Sequence, residues 1–312
     1  MKKIVAFVVS LAAAGAAFSA QPLLTPAELK AQLAQPNVRV IDIRDPQSYA
    51  ASHIPGAVNA PYGQWRGPAS NPGELPELPK LTELVRSLGL SPASHAVVVS
   101  SGASATDFGS AARVYWTLKV LGLKELSLLN GGVKAWADAK LPQDNAAVKV
   151  ARSDYAPQID KRLIATGDEV LEDVNKGSAL LLDARPKAFF EGETRHAAAS
   201  VPGTLKGAAN LEYSRFFDGE DSGLLQPEKV RAAAAGVTDP NKETVSFCNT
   251  GHWAATNWFA LSEVLGQKNV KLYPGSMVAW SQDARALPMS NVPGRGKQLL
   301  IDTKLWAEKT FK

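Results

Sequence analysis

Val245-Ser246-Phe247-Cys248-Asn249-Thr250-Gly251-His252-Trp253-Ala254-Ala255 reads as a strand, a turn and the start of a helix. Val245 to Phe247 is strand-like. The turn runs from Cys248 to Trp253 and contains Gly251. Beyond it, Ala254, Trp258, Leu261 and Leu265 fall at i, i+4, i+7 and i+11, one apolar helical face, and Gly266 stands where a C-cap belongs. Cys248 is the only cysteine in 312 residues. A turn of this kind aims backbone N–H groups at the sulfur and sets it over a helix N-terminus, which favours thiolate over thiol. Cys248 is therefore expected to be a nucleophile that carries a transferable group. The competing reading is an inert core cysteine. A strand end beside a Gly-containing turn argues against it.

Outward from this stretch, the chain repeats itself. Thr25-Pro26-Ala27-Glu28 is a capping box, and Thr166-Gly167-Asp168-Glu169 repeats it 141 residues later. At the same offset, Val40-Ile41-Asp42-Ile43-Arg44 matches Leu181-Leu182-Asp183-Ala184-Arg185, and Tyr49 matches Phe190. Ile54-Pro55-Gly56-Ala57-Val58-Asn59 then matches Leu205-Lys206-Gly207-Ala208-Ala209-Asn210 at an offset of 151, so the second copy carries about ten inserted residues near Arg195 to Thr204. Val97 to Val99 matches Thr244 to Phe247. Gly131 to Trp136 matches Pro274 to Trp280. Each copy alternates short apolar strands with helical patterns, the signature of an α/β parallel sheet flanked by helices on both faces.

The expected organisation is a signal peptide over 1–20, a first domain over 22–145, a linker over 146–160, a second domain over 161–290 and a C-terminal extension over 291–312. Lys2-Lys3, the apolar run Ile4 to Ala17 and the small residues before Ala20 fit a secretory signal. The mature protein is thus expected to be exported, to the periplasm if the source is Gram-negative, with no membrane span after signal removal. A lone cysteine in an oxidising compartment excludes an intramolecular disulfide framework. Net charge is +4, and Lys2 and Lys3 lie in the signal, so the mature chain is near +2. That excludes nucleic acid as an expected partner but suits small anions met by a local positive site. Pro61 to Pro79 reads as a surface loop, and Ile301 to Phe311 as a docking helix.

With these residues in view, the chain resembles the rhodanese family of sulfurtransferases in its two-domain form. Asp42-Ile43-Arg44, Asp183-Ala184-Arg185, His53-Ile54-Pro55-Gly56-Ala57-Val58-Asn59, the loop opened by Cys248 and the segments ending at Trp136 and Trp280 carry the resemblance, over nearly all of residues 22–285. It implies two tandem rhodanese-like domains, the first catalytically silent and the second holding the nucleophile. In the first copy Ser101 stands about where the cysteine would be, in a loop that reads as longer, through Ser110.

The resemblance also implies the chemistry: transfer of a sulfane sulfur from thiosulfate or 3-mercaptopyruvate to a thiol or cyanide acceptor through a Cys248 persulfide. No cofactor is expected. Four scattered histidines and one cysteine show no metal-ligand spacing. Backbone N–H groups along Asn249, Thr250, Gly251, His252 and Trp253 would stabilise the persulfide. Arg185 is a candidate for the small anionic donor. Its competing role is to pair with Asp183, as Arg44 would with Asp42 in the copy without cysteine. Arg195 loosely matches a second substrate-side arginine of the mercaptopyruvate enzymes. A solvated arginine is the alternative. Thr250 stands where mercaptopyruvate enzymes usually have Ser or Thr and thiosulfate enzymes have Lys. His252 is either a proton shuttle or a local hydrogen-bonding group, and Trp253 either walls the pocket or is core. His53 reads as structural.

Two rivals come from other classes. A cysteine phosphatase needs a longer loop closed by Arg, and no Arg occurs between Cys248 and Arg285. A persulfide carrier that delivers sulfur to a protein partner without turnover shares every residue discussed above.

Overall fold

The computed structural model describes residues 20–219, 222–224, 226–239 and 241–310. The signal reading of 1–20 lies almost wholly outside them. In the first copy, strands β1 (Leu23–Leu24), β2 (Val38–Asp42), β3 (Val58–Asn59), β4 (His95–Val99) and β5 (Leu126–Leu129) form one parallel sheet of order β1-β5-β4-β2-β3. β4 is buried along its whole length. That fits its Ala-Val-Val-Val run, because a central parallel strand is covered on both faces.

The second copy has β6 (Leu180–Asp183), β7 (Thr204–Leu205), β8 (Ala209–Asn210), β9 (Thr244–Phe247), β10 (Val270–Leu272) and β11 (Met289–Ser290). Its parallel sheet runs β10-β9-β6-β8. Ile164 bridges Leu272 in parallel, in the place β1 holds in the first copy. β7 pairs antiparallel with β11, and His53 bridges Asp144 in the same sense. The two copies therefore share one topology. The insertion in the second copy lies between Phe190 and Gly203.

The two copies are joined through the helices that follow the loops at Ser100 and Cys248. The Ala105–Val120 helix is buried almost all round, as a helix must be when it is covered by its own sheet and by a second domain. It packs against the helix that starts at Trp253. Phe108 and Tyr115 meet Phe259 edge-on, with ring centroids 5.6 and 5.1 Å apart. Glu263 takes Tyr115 Oη and Lys119 Nζ, both at 2.7 Å, across the same seam. One apolar cluster runs without a break from Val98 and Trp116 to Ala184, Cys248 and Trp258. Two smaller clusters fill the outer faces of the two sheets.

The helix expected after the cysteine turn is present but changes pitch. Trp253–Trp258 is α-helical and Phe259–Val264 is π-helical. Leu265 N donates to Ala260 O, five residues back, and Gly266 takes a φ of +69°. Residues 146–160, the expected linker, hold no helix or strand and are docked. Arg86 Nε donates to Tyr155 O and Tyr155 Oη to Leu121 O.

Two expectations are corrected. Pro61 to Pro79 is not a plain surface loop: Trp65 is buried within it and Gly73 packs on Pro274 of the second copy. The last helix begins at Arg295 rather than Ile301. Its end at Phe311 lies outside the described residues. No helix among them is long and apolar enough to cross a membrane.

Candidate active site

β9 delivers Cys248 to the C-terminal edge of the second sheet, where ligand sites gather in open α/β folds. Residues Cys248 to His252 form the loop, and Trp253 is already the first helical residue. All five loop carbonyls are held by donors. Met277 N donates to Cys248 O at 3.0 Å, Val278 N to Asn249 O at 3.1 Å and Ala255 N to His252 O at 3.1 Å. The first domain holds the other two: Arg66 Nη2 donates to Thr250 O at 2.8 Å and Arg113 Nη1 to Gly251 O at 3.2 Å.

The N–H groups of Cys248 and Gly251 donate to Ser276 Oγ at 3.0 and 3.1 Å, and that hydroxyl donates to Tyr273 O at 2.8 Å. The N–H groups of Asn249, Thr250, His252 and Trp253 have no partner among the described residues. They are unclaimed donors next to the cysteine in sequence. Cys248 itself is 1% exposed. Only glycine fits at 251: φ is +66°, and a Cβ there would lie 2.4 Å from Arg113 Nη1 and 2.8 Å from Pro274 O.

The first copy shows what the second lacks. Val133 N donates to Ser100 O and Lys134 N to Ser101 O, as Met277 N and Val278 N do to Cys248 O and Asn249 O. Ser100, not Ser101, therefore occupies the cysteine position. The first loop is also no longer than the second, because its helix starts at Ala105 under a Ser104 cap. Asp107 fills that loop from within, accepting from Ala103 N at 2.9 Å, Ser104 N at 3.2 Å and Ser101 Oγ at 2.6 Å. The equivalent residue in the second copy is Ala255, which has no carboxylate and leaves the loop open.

Arg185 is almost fully buried. It grips Asp183 through Nε at 2.8 Å and Nη2 at 2.6 Å, and Nη2 also donates to Gly203 O at 2.7 Å. Arg44 repeats this with Asp42 and Ser52 O. The pairing role is thus present in both copies. Only in the second does Nη1 turn toward the loop, 3.4 Å from Asn249 Oδ1. Arg195 is not a solvated arginine. Its Nε and Nη2 meet Asp302 of the last helix, and Nη1 meets carbonyls of His196, Ala197 and Ala199. It ties the insertion to the C-terminal helix.

His252 Nε2 lies 2.8 Å from Thr106 O and so must donate there, which leaves Nδ1 to accept from Tyr62 Oη at 2.8 Å. Burial, with Arg66 and Arg113 close by, holds its pKa down at about 4. Of its two expected roles the structure displays the local hydrogen-bonding one, directed at the first domain. Trp253 stacks on Tyr213, with centroids 5.0 Å apart, and turns its edge to Phe189. His53 is buried, with Nδ1 2.9 Å from Tyr49 O and its ring stacked on Tyr49.

Ser276, Arg66, Arg113, Tyr62 and Thr106 were not singled out from sequence. Ser276 had a signal: it replaces Gly132 of the first copy and keeps that residue's left-handed backbone, φ +51° against +59°. Arg113 is a charge inside an apolar helix. Arg66 sits in a Pro- and Gly-rich stretch without periodicity.

Fold and site define a class: a tandem α/β protein with one cysteine anion loop, closed by its cysteine-free twin. The Rhodanese-like domain family matches residues 25–139 and 166–283, and the chain belongs to that family. A probable 3-mercaptopyruvate sulfurtransferase of Pseudomonas aeruginosa is 32% identical, the match covering 86% of this chain and 97% of that one. A thiosulfate sulfurtransferase of Azotobacter vinelandii is 30% identical over 84% of this chain and 95% of its own. Among solved structures, a 3-mercaptopyruvate sulfotransferase of Escherichia coli superposes with a TM-score of 0.72 at 25% identity, covering 82% of this chain and 98% of that one.

Proposed function

We propose that the protein is a sulfurtransferase that loads a sulfane sulfur on Cys248 and passes it to a thiol or cyanide. The observation that carries this is the loop with all five carbonyls held by donors around a cysteine, and with the N–H groups of Asn249, Thr250, His252 and Trp253 unclaimed among the described residues. Relatives named for thiosulfate and for 3-mercaptopyruvate support both donors.

With thiosulfate, the Cys248 thiolate attacks the outer sulfur. The S–S bond of the donor breaks, a new S–S bond forms, and sulfite leaves with the electron pair. With 3-mercaptopyruvate, the C–S bond breaks, the thiol proton ends on the carbon, and pyruvate leaves. In both cases the persulfide carries one negative charge at its terminal sulfur, where the N–H groups of Asn249, Thr250, His252 and Trp253 stabilise it. Cyanide or a thiol then takes that sulfur and returns the thiolate.

Arg185 is assigned to orient Asn249 and, through Nη1, to border the donor. Arg195 is assigned to shape the insertion over the site. The first domain supplies no nucleophile. Residues 1–20 are assigned to export, which fractionation of producing cells checks by where the processed chain appears. Incubating the reduced protein with each donor, desalting it and measuring release of sulfur to cyanide tests the function. One equivalent per chain is expected with at least one donor, and none with either would overturn it.

A further inference from the structure

We propose that Arg66, a residue of the first domain, binds the anionic end of the sulfur donor; this rests on the sulfur-transfer reading above. Its guanidinium is fixed at the cysteine loop by the 2.8 Å bond from Nη2 to Thr250 O and by the Tyr62 ring, whose centroid is 5.2 Å from Cζ. Its Nη1 is buried and has no partner among the described residues. A buried guanidinium N–H left without an acceptor marks a position where an acceptor is missing.

The other arginines around the loop are either neutralised by a carboxylate or sealed from solvent. Arg185 and Arg195 are each neutralised by a carboxylate, Asp183 and Asp302. Arg113, like Arg66, forms no ion pair among the described residues and leaves Nε unpartnered. However, it is 0% exposed, sealed over the Trp116 ring, with both Nη atoms bonded to the carbonyls of Gly251 and Gly73. Arg66 as a residue is only partly buried, whereas Arg113 is fully enclosed. Burial, and after it the Arg66 charge, lowers the pKa of both His252 in the loop and His196 in the insertion. An uncompensated planar cation next to the third loop residue suits the chemistry shared by both donors, an oxyanion attached to a transferable sulfur.

The test compares wild type, Arg66→Met and Arg66→Lys, all full length, with two alkylating reagents of similar size. Iodoacetate carries a carboxylate and iodoacetamide does not. Both alkylate the Cys248 thiolate and release iodide. In Arg66→Met the ratio of iodoacetate to iodoacetamide rates is expected to fall about tenfold, and the KM for thiosulfate or mercaptopyruvate to rise about tenfold with little change in kcat, the pattern of lost ground-state binding. Arg66→Lys is expected to restore part of both. If the two reagents slow equally, or KM does not move, Arg66 only positions the loop and the proposal is overturned. If wild type is loaded by neither donor, the sulfur-transfer reading fails, while the reagent ratio still decides whether Arg66 reads an anion.

Discussion

Ser276 Oγ accepts hydrogen bonds from the backbone N–H of Cys248 and of Gly251, at 3.0 and 3.1 Å. It therefore pins both sides of the cysteine loop to one atom. It does so from a left-handed backbone, φ +51°, that its counterpart Gly132 adopts without strain. Ser276→Ala keeps the strain and removes the hydroxyl. Ser276→Gly removes both. The Ala variant is expected to lose about 2–3 kcal/mol of stability and the Gly variant about 1 kcal/mol less, because two buried N–H groups lose their acceptor in each. Denaturant unfolding measures the order. A Gly variant less stable than the Ala variant would contradict it.

His252 makes the domain seam sensitive to acid. Its pKa in the fold is about 4, against an ordinary 6.5. The unfolded chain therefore binds the proton more readily. The contribution is fully present above about pH 6.5 and is lost as pH falls toward 4, on the order of 2–3 kcal/mol. His196, lowered by burial and by Arg66 and Arg195, adds to the same slope. Unfolding free energy measured from pH 7 to 4 should fall less steeply in His252→Gln than in wild type. Parallel slopes would place His252 outside the linkage.

Asp107 occupies the first loop as an anion would. Placing a thiol there in a Cys248→Ser background, as Ser100→Cys, should give a cysteine that loads no sulfur. Ser100→Cys with Asp107→Ala should react with iodoacetamide at least tenfold faster than Ser100→Cys alone, because the freed N–H groups then favour the thiolate. Equal rates would show that the carboxylate does not block the loop.

Arg185 and Arg44 make the same carboxylate grip, but only Arg185 also faces a cysteine loop. Arg185→Met and Arg44→Met should each cost roughly 3–5 kcal/mol by leaving a buried carboxylate unpaired. Donor KM should rise only in Arg185→Met. An equal KM in the two variants would make Arg185 purely structural.

The repeat was readable because it held one offset across a capping box, an Asp-x-Arg strand end and an aromatic, and those features fix each sheet through local chemistry. The position equivalent to Cys248 was missed by one residue. Strand ends in Val97-Val98-Val99-Ser100-Ser101 are set by which carbonyl meets Val133 N, a contact 33 residues away in sequence. The role of Pro61 to Pro79 was illegible for a similar reason. Arg66 acquires its meaning from Thr250, 184 residues on, and no local pattern encodes a contact between domains. His252 and Trp253 were visible as residues of the loop with two candidate roles each. Their partners Tyr62, Thr106 and Tyr213 were not, because all three come from other elements.

On the proposed function, Cys248 accepts a sulfur atom within its loop. Intact-mass measurement of the reduced protein after exposure to thiosulfate, and separately to 3-mercaptopyruvate, tests it most directly. A gain of one sulfur atom is expected with at least one donor, located by peptide mapping at Cys248, removed by cyanide and absent in Cys248→Ser. A correctly folded wild type that gains no sulfur from either donor, or a Cys248→Ser variant that still gains it, would contradict the account.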